Sequence, residues 1–294
     1  MQILMMALAL AAPASTAQSQ AAPVPAAVIA DRARDTEHPA QLLQIRYPTG
    51  GVEVPARLFV AGGEGAHPTV LLLHGFPGTE LNLDLARAIQ RAGWNVMAIH
   101  YRGVWGAPGK FSFGHTIEDA RAALAWLRDP ARTGIVDASR IVVLGHSMGG
   151  FDTVMIGDEP VAGFVTISAA DFGGEAASLD TPEERAANEA GWAEDVSFTN
   201  MTFAEMATEI AAHAGAWDWS RNAAEMVGRP VLVIDSNDGL EPNGDAVVAA
   251  VTTAGGPAPT RLKFETDHSY NDHRITLAVA VVGWLETTFP AIGR

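Results

Sequence analysis

The chain has 294 residues and no cysteine. Disulfides, a thiolate nucleophile, thiolate metal sites and lipid attachment through cysteine are therefore excluded, although the compartment is not fixed by this. Basic residues are scarce. Nineteen Lys and Arg face 34 Asp and Glu, giving a formal net charge of −15 and a pI near 4.9. A surface this acidic argues against a nucleic-acid partner, because phosphate backbones reward clustered Lys and Arg. The sequence has no GxGxxG, no P-loop and no HExxH. His268 and His273 are five apart, not the four that a zinc-binding helix face requires, so neither a cofactor nor a metal is expected.

Charge is also missing from the first thirty residues. The apolar stretch ILMMALALAA at 3–12 is too short to span a bilayer, which takes ~20 residues. It leads into small and polar residues, and Ser15-Thr16-Ala17 fits the small-x-small rule for signal-peptidase cleavage. The expectation is a signal peptide over 1–17, a disordered linker over 18–40 and a folded domain over 41–292. The protein is then secreted or periplasmic, with no stable membrane anchor. One departure is the n-region, where Gln2 stands in place of a basic residue.

What is present is an alternation of apolar strands and amphipathic helices. QLLQIRY (41–47) and VEVPARLFVA (52–61) read as a hairpin turning at Pro48 to Gly51. TVLLLHG (69–75), NVMAIHY (95–101), RIVVLG (140–145), VAGFVTIS (161–168), PVLVIDS (230–236) and TRLKFET (260–266) read as further strands. Helices are expected over 83–93, over 116–127 with Thr116 as N-cap, from Ser147 onward, over 245–255 and over 275–289. This order specifies a mostly parallel sheet with helices on both faces. Residues 171–228 break the rhythm with a helical insertion. Thr181 with Glu184, and Thr202 with Glu205, form two capping boxes that start its helices. An insertion there lies over the ligand crevice of an open α/β sheet.

Gly145-His146-Ser147-Met148-Gly149 follows a buried strand and opens a helix. A serine on such a bend needs small neighbours two residues before and after, so that strand and helix can pass. Ser147 is thereby the candidate nucleophile, with the helix N-terminus favouring negative charge beside it. The candidate base is His268, directly after the last strand. His273 is expected at the start of the closing helix, facing away, and His146 is read as structural, its side chain pointing to the other side of the bend. For the carboxylate that orients the base, Asp238 in the turn is preferred and Asp235 at the strand end stays open. The oxyanion donors are the backbone N–H groups of Met148 and Phe76, since Pro77 has none.

HGFPG, HYRGVWGAPGKFSF, GHSMGG, the acid loop after VLVI and DHSYNDHR together resemble the α/β-hydrolase-fold serine hydrolases, over roughly residues 45 to 292. Tyr101-Arg102-Gly103 is similar to a segment of the prolyl-oligopeptidase and dienelactone-hydrolase branches. The resemblance implies hydrolysis of an ester, amide or thioester through an acyl-enzyme. Two departures are an acid loop about one residue short and the absence of the lipase-type HGGG. The expected substrate is a small or medium carboxylic ester, with a peptidase or aminopeptidase as the alternative on a short peptide. The insertion bears on that choice, because it holds twelve Asp or Glu against two Arg. It also carries Trp192, Phe198, Met201, Phe203, Met206, Trp217 and Trp219, which either line an apolar pocket or glue the cap to the sheet.

Overall fold

The computed structural model describes residues 23–290. Eight strands form one sheet: β1 (Gln41–Thr49), β2 (Val52–Val60), β3 (His67–Leu73), β4 (Asn95–Ile99), β5 (Val136–His146), β6 (Gly163–Ile167), β7 (Val231–Asp235) and β8 (Thr260–Lys263). Their order is β1-β2-β4-β3-β5-β6-β7-β8. The first two are antiparallel and turn through Gly50 and Gly51, both at positive φ, as a two-residue hairpin demands. From β4 to β8 every pair is parallel.

The helices are α1 (Ala26–Ile29), α2 (Leu83–Arg91), α3 (Phe113–Leu127), α4 (Met148–Met155), α5 (Pro182–Val196), α6 (Phe203–His213), α7 (Trp219–Ala224), α8 (Glu241–Thr253) and α9 (Arg274–Thr288). Strand alternation feeds two cores. Leu71, Leu73, Met97 and Val143 pack on the side of α3, α4 and α8. Val70, Leu72, Val96 and Leu144 pack against Leu85 and Ile89 of α2 and Leu277, Val281 and Leu285 of α9. β3 is buried on both faces throughout its length, and each such Leu or Val contributes about 1.5–3 kcal/mol.

Several local expectations change. α3 starts a turn early: Ser112, not Thr116, is its N-cap, and Glu209 of α6 accepts from the N–H groups of Phe113 and Gly114 at 3.0 Å. Thr116 is buried inside the helix. The segment expected as a disordered linker carries α1, with Ala27 buried and its carbonyl accepting from Arg91 Nε at 2.6 Å. The expected signal peptide lies outside the described residues.

Both capping boxes form, at Thr181 with Glu184 and at Thr202 with Glu205. In α6, Phe203, Met206, Ala207 and Ile210 turn inward at helical spacing, whereas α5 buries no residue. Of the seven apolar side chains of the insertion named above, Met201, Phe203, Met206, Trp217 and Trp219 are buried in the core, so most of them hold the cap to the sheet.

Asp152 of α4 is fully buried, and burial pushes its carboxyl up to about 8. Its surroundings fit the neutral acid. Thr116 Oγ1 is 2.6 Å from Asp152 Oδ1 and 2.7 Å from Phe113 O. One hydroxyl proton serves both bonds only if Thr116 donates to the carbonyl and Asp152 donates to Thr116. A folded-state pKa above the unfolded one means that stability is full below the unfolded value of about 4 and falls as pH rises toward 8. Asp152→Asn is therefore expected to gain on the wild type by up to about 1 kcal/mol per pH unit between roughly pH 5 and 8. Urea midpoints at pH 5, 6.5 and 8 check this; a constant difference across the series would contradict it.

Candidate active site

β5 ends at His146, and Ser147 takes φ 56° and ψ −116° before α4 begins. A side chain pays strain in that region, and the surroundings hold it there. Ser147 N–H donates to Ile167 O at 2.9 Å, and Ser147 O accepts from Ala170 and Phe151 N–H, each at 3.1 Å. Glycines make the bend possible. A Cβ on Gly145 would overlap the Gly149 carbonyl, and one on Gly149 would overlap the Leu73 carbonyl. Gly75 brings the loop after β3 against the serine, since a Cβ there would lie 2.9 Å from Ser147 Cβ.

That loop carries Phe76, the expected oxyanion donor, and Met148 occupies the first turn of α4. Among the described residues neither amide N–H has a hydrogen-bond partner. His74 braces the loop from behind: its Nδ1–H donates to Gly75 O at 2.7 Å. Burial lowers its pKa to about 4, so the ring is neutral.

His268 lies in the loop between β8 and α9, 40% exposed, with Nδ1 2.7 Å from Asp238 Oδ2. Since the carboxylate accepts, Nδ1 carries the proton and Nε2 keeps the lone pair. Burial opposes charge on Asp238. The His268 ring, the Leu240 N–H and the hydroxyls of Ser168 and Ser236 outweigh it and hold the carboxyl well below the usual range. Those hydroxyls join Tyr270 OH in a chain with 3.0 Å steps, and Ser168 and Tyr270 both have positive φ. Sequence reasoning missed this chain, because its members come from three separate segments that only the fold brings together.

Asp235, the alternative acid, is turned to Arg261, whose Nε donates to Oδ2 at 3.0 Å. His273 is at the N-terminus of α9 with its Nδ1 on Asp272 at 2.9 Å, apart from the pair.

His146 has a more specific place than its structural reading gave it. Its buried ring meets the loop of the base: Nε2–H donates to His268 O at 2.8 Å, and the two ring centroids are 4.8 Å apart. Burial, then the charge of His268, lowers its pKa to about 3, so it remains a neutral brace. The bond ties the serine bend to the loop that carries His268. His146→Leu is expected to lower kcat about 10–100-fold with KM nearly unchanged, a supporting-residue effect of the usual size. His146→Gln, which restores an N–H donor, should recover part of it. Steady-state kinetics of both variants decide; a change confined to KM would remove this role.

Cap and oxyanion loop meet through aromatic rings. Phe76 lies 6.1 Å from Trp192 and 5.9 Å from Phe113, and Phe113 is 4.0 Å from Phe172. Acidic groups of the cap are partly committed to structure: Glu205 pairs with Lys110 at 2.7 Å, and Glu209 caps α3. Among the described residues no group of three or more His, Asp or Glu is arranged to hold a metal ion, and no helix is long and apolar enough to cross a membrane.

A parallel sheet crossed by such a serine bend defines the α/β-hydrolase fold, and solved structures agree. An esterase from Pyrobaculum calidifontis superposes with a TM-score of 0.63 at 20% identity, covering 85% of this chain and 87% of its own. An acylaminoacyl peptidase from Pyrococcus horikoshii gives 0.62 at 12% identity, covering 87% of this chain and 42% of that one. The chain belongs to the alpha/beta hydrolase family, whose pattern it matches over residues 70–280. Curated relatives match over shorter stretches. An uncharacterized protein of Mycobacterium tuberculosis is 38% identical over 90 residues, 30% of each chain. The rice acylamino-acid-releasing enzyme 2 is 31% identical over 116 residues, 35% of this chain but only 14% of the enzyme.

Proposed function

We propose that this protein is a serine hydrolase that cleaves a carboxylic ester of a small or medium substrate through an acyl-enzyme. The observation that carries the reading is the His268–Asp238 pair, bonded at 2.7 Å and tied through His146 to the strained Ser147 bend. In this mechanism His268 Nε2 takes the Ser147 proton while Ser147 Oγ attacks the acyl carbon. The Phe76 and Met148 N–H groups stabilise the oxyanion, and Asp238 stabilises the imidazolium. Protonated His268 then gives its proton to the departing alkoxide. Water, activated by the same ring, releases the acid and restores the serine. The solved structures that superpose on this one include an esterase, which favours the ester reading as fold-level analogy.

A peptidase reading has its own support in the local likeness to an acylamino-acid-releasing enzyme. It assigns a carboxylate of the acidic insertion to a positive group on a short peptide. Export to the periplasm or outside the cell belongs to the same proposal and rests on residues 1–17.

The test is labelling of purified mature protein with a fluorophosphonate, followed by turnover of p-nitrophenyl acetate, butyrate and octanoate beside aminoacyl-p-nitroanilides. Label on Ser147 with ester turnover ahead of anilide supports the proposal. Anilide ahead of ester moves it to the peptidase, and no label on folded protein overturns it. The intact mass of the same sample reports whether the leader is cleaved after Ala17.

A further inference from the structure

The loop after β4 presents Trp105 with 49% of its surface exposed. A single exposed aromatic is ordinary, but this one is held in place from two sides. Its backbone is left-handed at φ 51°, a strained setting for a bulky residue. The indole N–H donates to Pro77 O at 3.1 Å, directly beside Phe76. Gly78 leaves the space for that approach, since a Cβ there would lie 3.2 Å from the indole nitrogen. On the cap side, Trp105 N–H donates to Phe198 O at 3.0 Å, and the two rings stack at 4.2 Å and 24°. Val104 and Thr199 pair in a short antiparallel bridge that locks the same junction. The ring also borders a cleft of about 200 Å³ with Pro55, His100 and Val104.

We propose that Trp105, backed by Phe198, is the subsite for an aromatic or bulky apolar leaving group. The inference rests on the serine-hydrolase reading and adds the chemistry of the departing half of the substrate. Its logic is positional. The aromatic rings that continue from Phe76, namely Phe113, Phe172 and Trp192, are packed together where the cap meets the sheet. Trp105 is half exposed and bonded to the carbonyl next to Phe76, so it borders the oxyanion loop from the solvent side, and a released alcohol has to reach solvent before water can attack. One indole face is taken by Phe198, and a flat ring fixed at its N–H end is preorganised to stack a second aromatic group.

The test holds the acyl group constant. Wild type, Trp105→Ala and Trp105→Phe are compared on 2-naphthyl acetate and ethyl acetate, with fluorophosphonate labelling of Ser147 as the control. All share one acetyl-enzyme, so a leaving-group subsite acts on acylation and leaves the deacylation rate alone. In Trp105→Ala, kcat/KM for the naphthyl ester should fall at least 10-fold against less than 3-fold for the ethyl ester. Trp105→Phe, which keeps a ring but loses the N–H bond, should keep most of the naphthyl preference. Equal losses on both esters would show that Trp105 only steadies the oxyanion loop, and unchanged kinetics would remove the subsite; either overturns the proposal. Absence of Ser147 labelling in the wild type would instead overturn the underlying reading, and this inference with it.

Discussion

Ser147→Ala is expected to lower ester turnover by about 10⁶-fold in kcat while leaving the fold intact. The size follows from how the groups act as a unit. Without Oγ there is no acyl-enzyme, and His268 and Asp238 have nothing to activate, so the loss approaches that of removing all three. A residual rate of about 10³–10⁴ over water is expected from the oxyanion donors at Phe76 and Met148 and from binding alone. Stability should be nearly unchanged, because the Ser147 side chain makes no cap bond that alanine would lose. The measurement is single-turnover kinetics on p-nitrophenyl butyrate with a matched urea unfolding curve. A loss below about 100-fold on a folded variant would mean that the acyl group is transferred elsewhere.

Gly149→Ala is expected to have the largest effect on stability. The added methyl group would overlap the Leu73 carbonyl, a backbone atom in the middle of the sheet, and no side-chain rotation relieves that. α4 would have to move away from β3, opening the contact that Phe151 and Val154 make in the core. A cost of at least about 3 kcal/mol is expected, enough to unfold a domain of ordinary stability at 37 °C. Gly191→Ala is the control. It lies within α5 with nothing inside 4 Å of the new methyl, so the same change should gain up to about 1 kcal/mol from helix propensity. Urea midpoints for the pair give the comparison. A Gly149→Ala protein as stable as the wild type would refute the packing described for the bend.

Much of this architecture is legible in the sequence because its signals are local. The continuous apolar run of β3, the glycines around Ser147 and the two threonine-glutamate caps are each read within a few residues. Where the reading departs from the structure, a distant partner decides. Glu209, 96 residues beyond Phe113, satisfies the first amides of α3, which is why the helix starts ahead of Thr116. Arg261, 26 residues past Asp235, takes up that carboxylate and leaves Asp238 beside His268. His146 and His268 are 122 residues apart in sequence, and only the parallel order of the strands brings them together. The hydroxyl chain from Tyr270 through Ser168 to Ser236 escapes notice for the same reason.

α5 fully buries none of its side chains, although a capping box fixes its start. Outside Trp192, which packs against Phe76, and Val196 on the core, drift along that helix carries little penalty for the sheet beneath, whereas drift in α4 is punished at once. A lineage can therefore recolour the acidic outer face of the cap, or a designer can transplant another helix of equal length there, provided that Trp192 is kept. Affinity for a new partner, a new charge or a tether can be tried at this position without renegotiating the chemistry below.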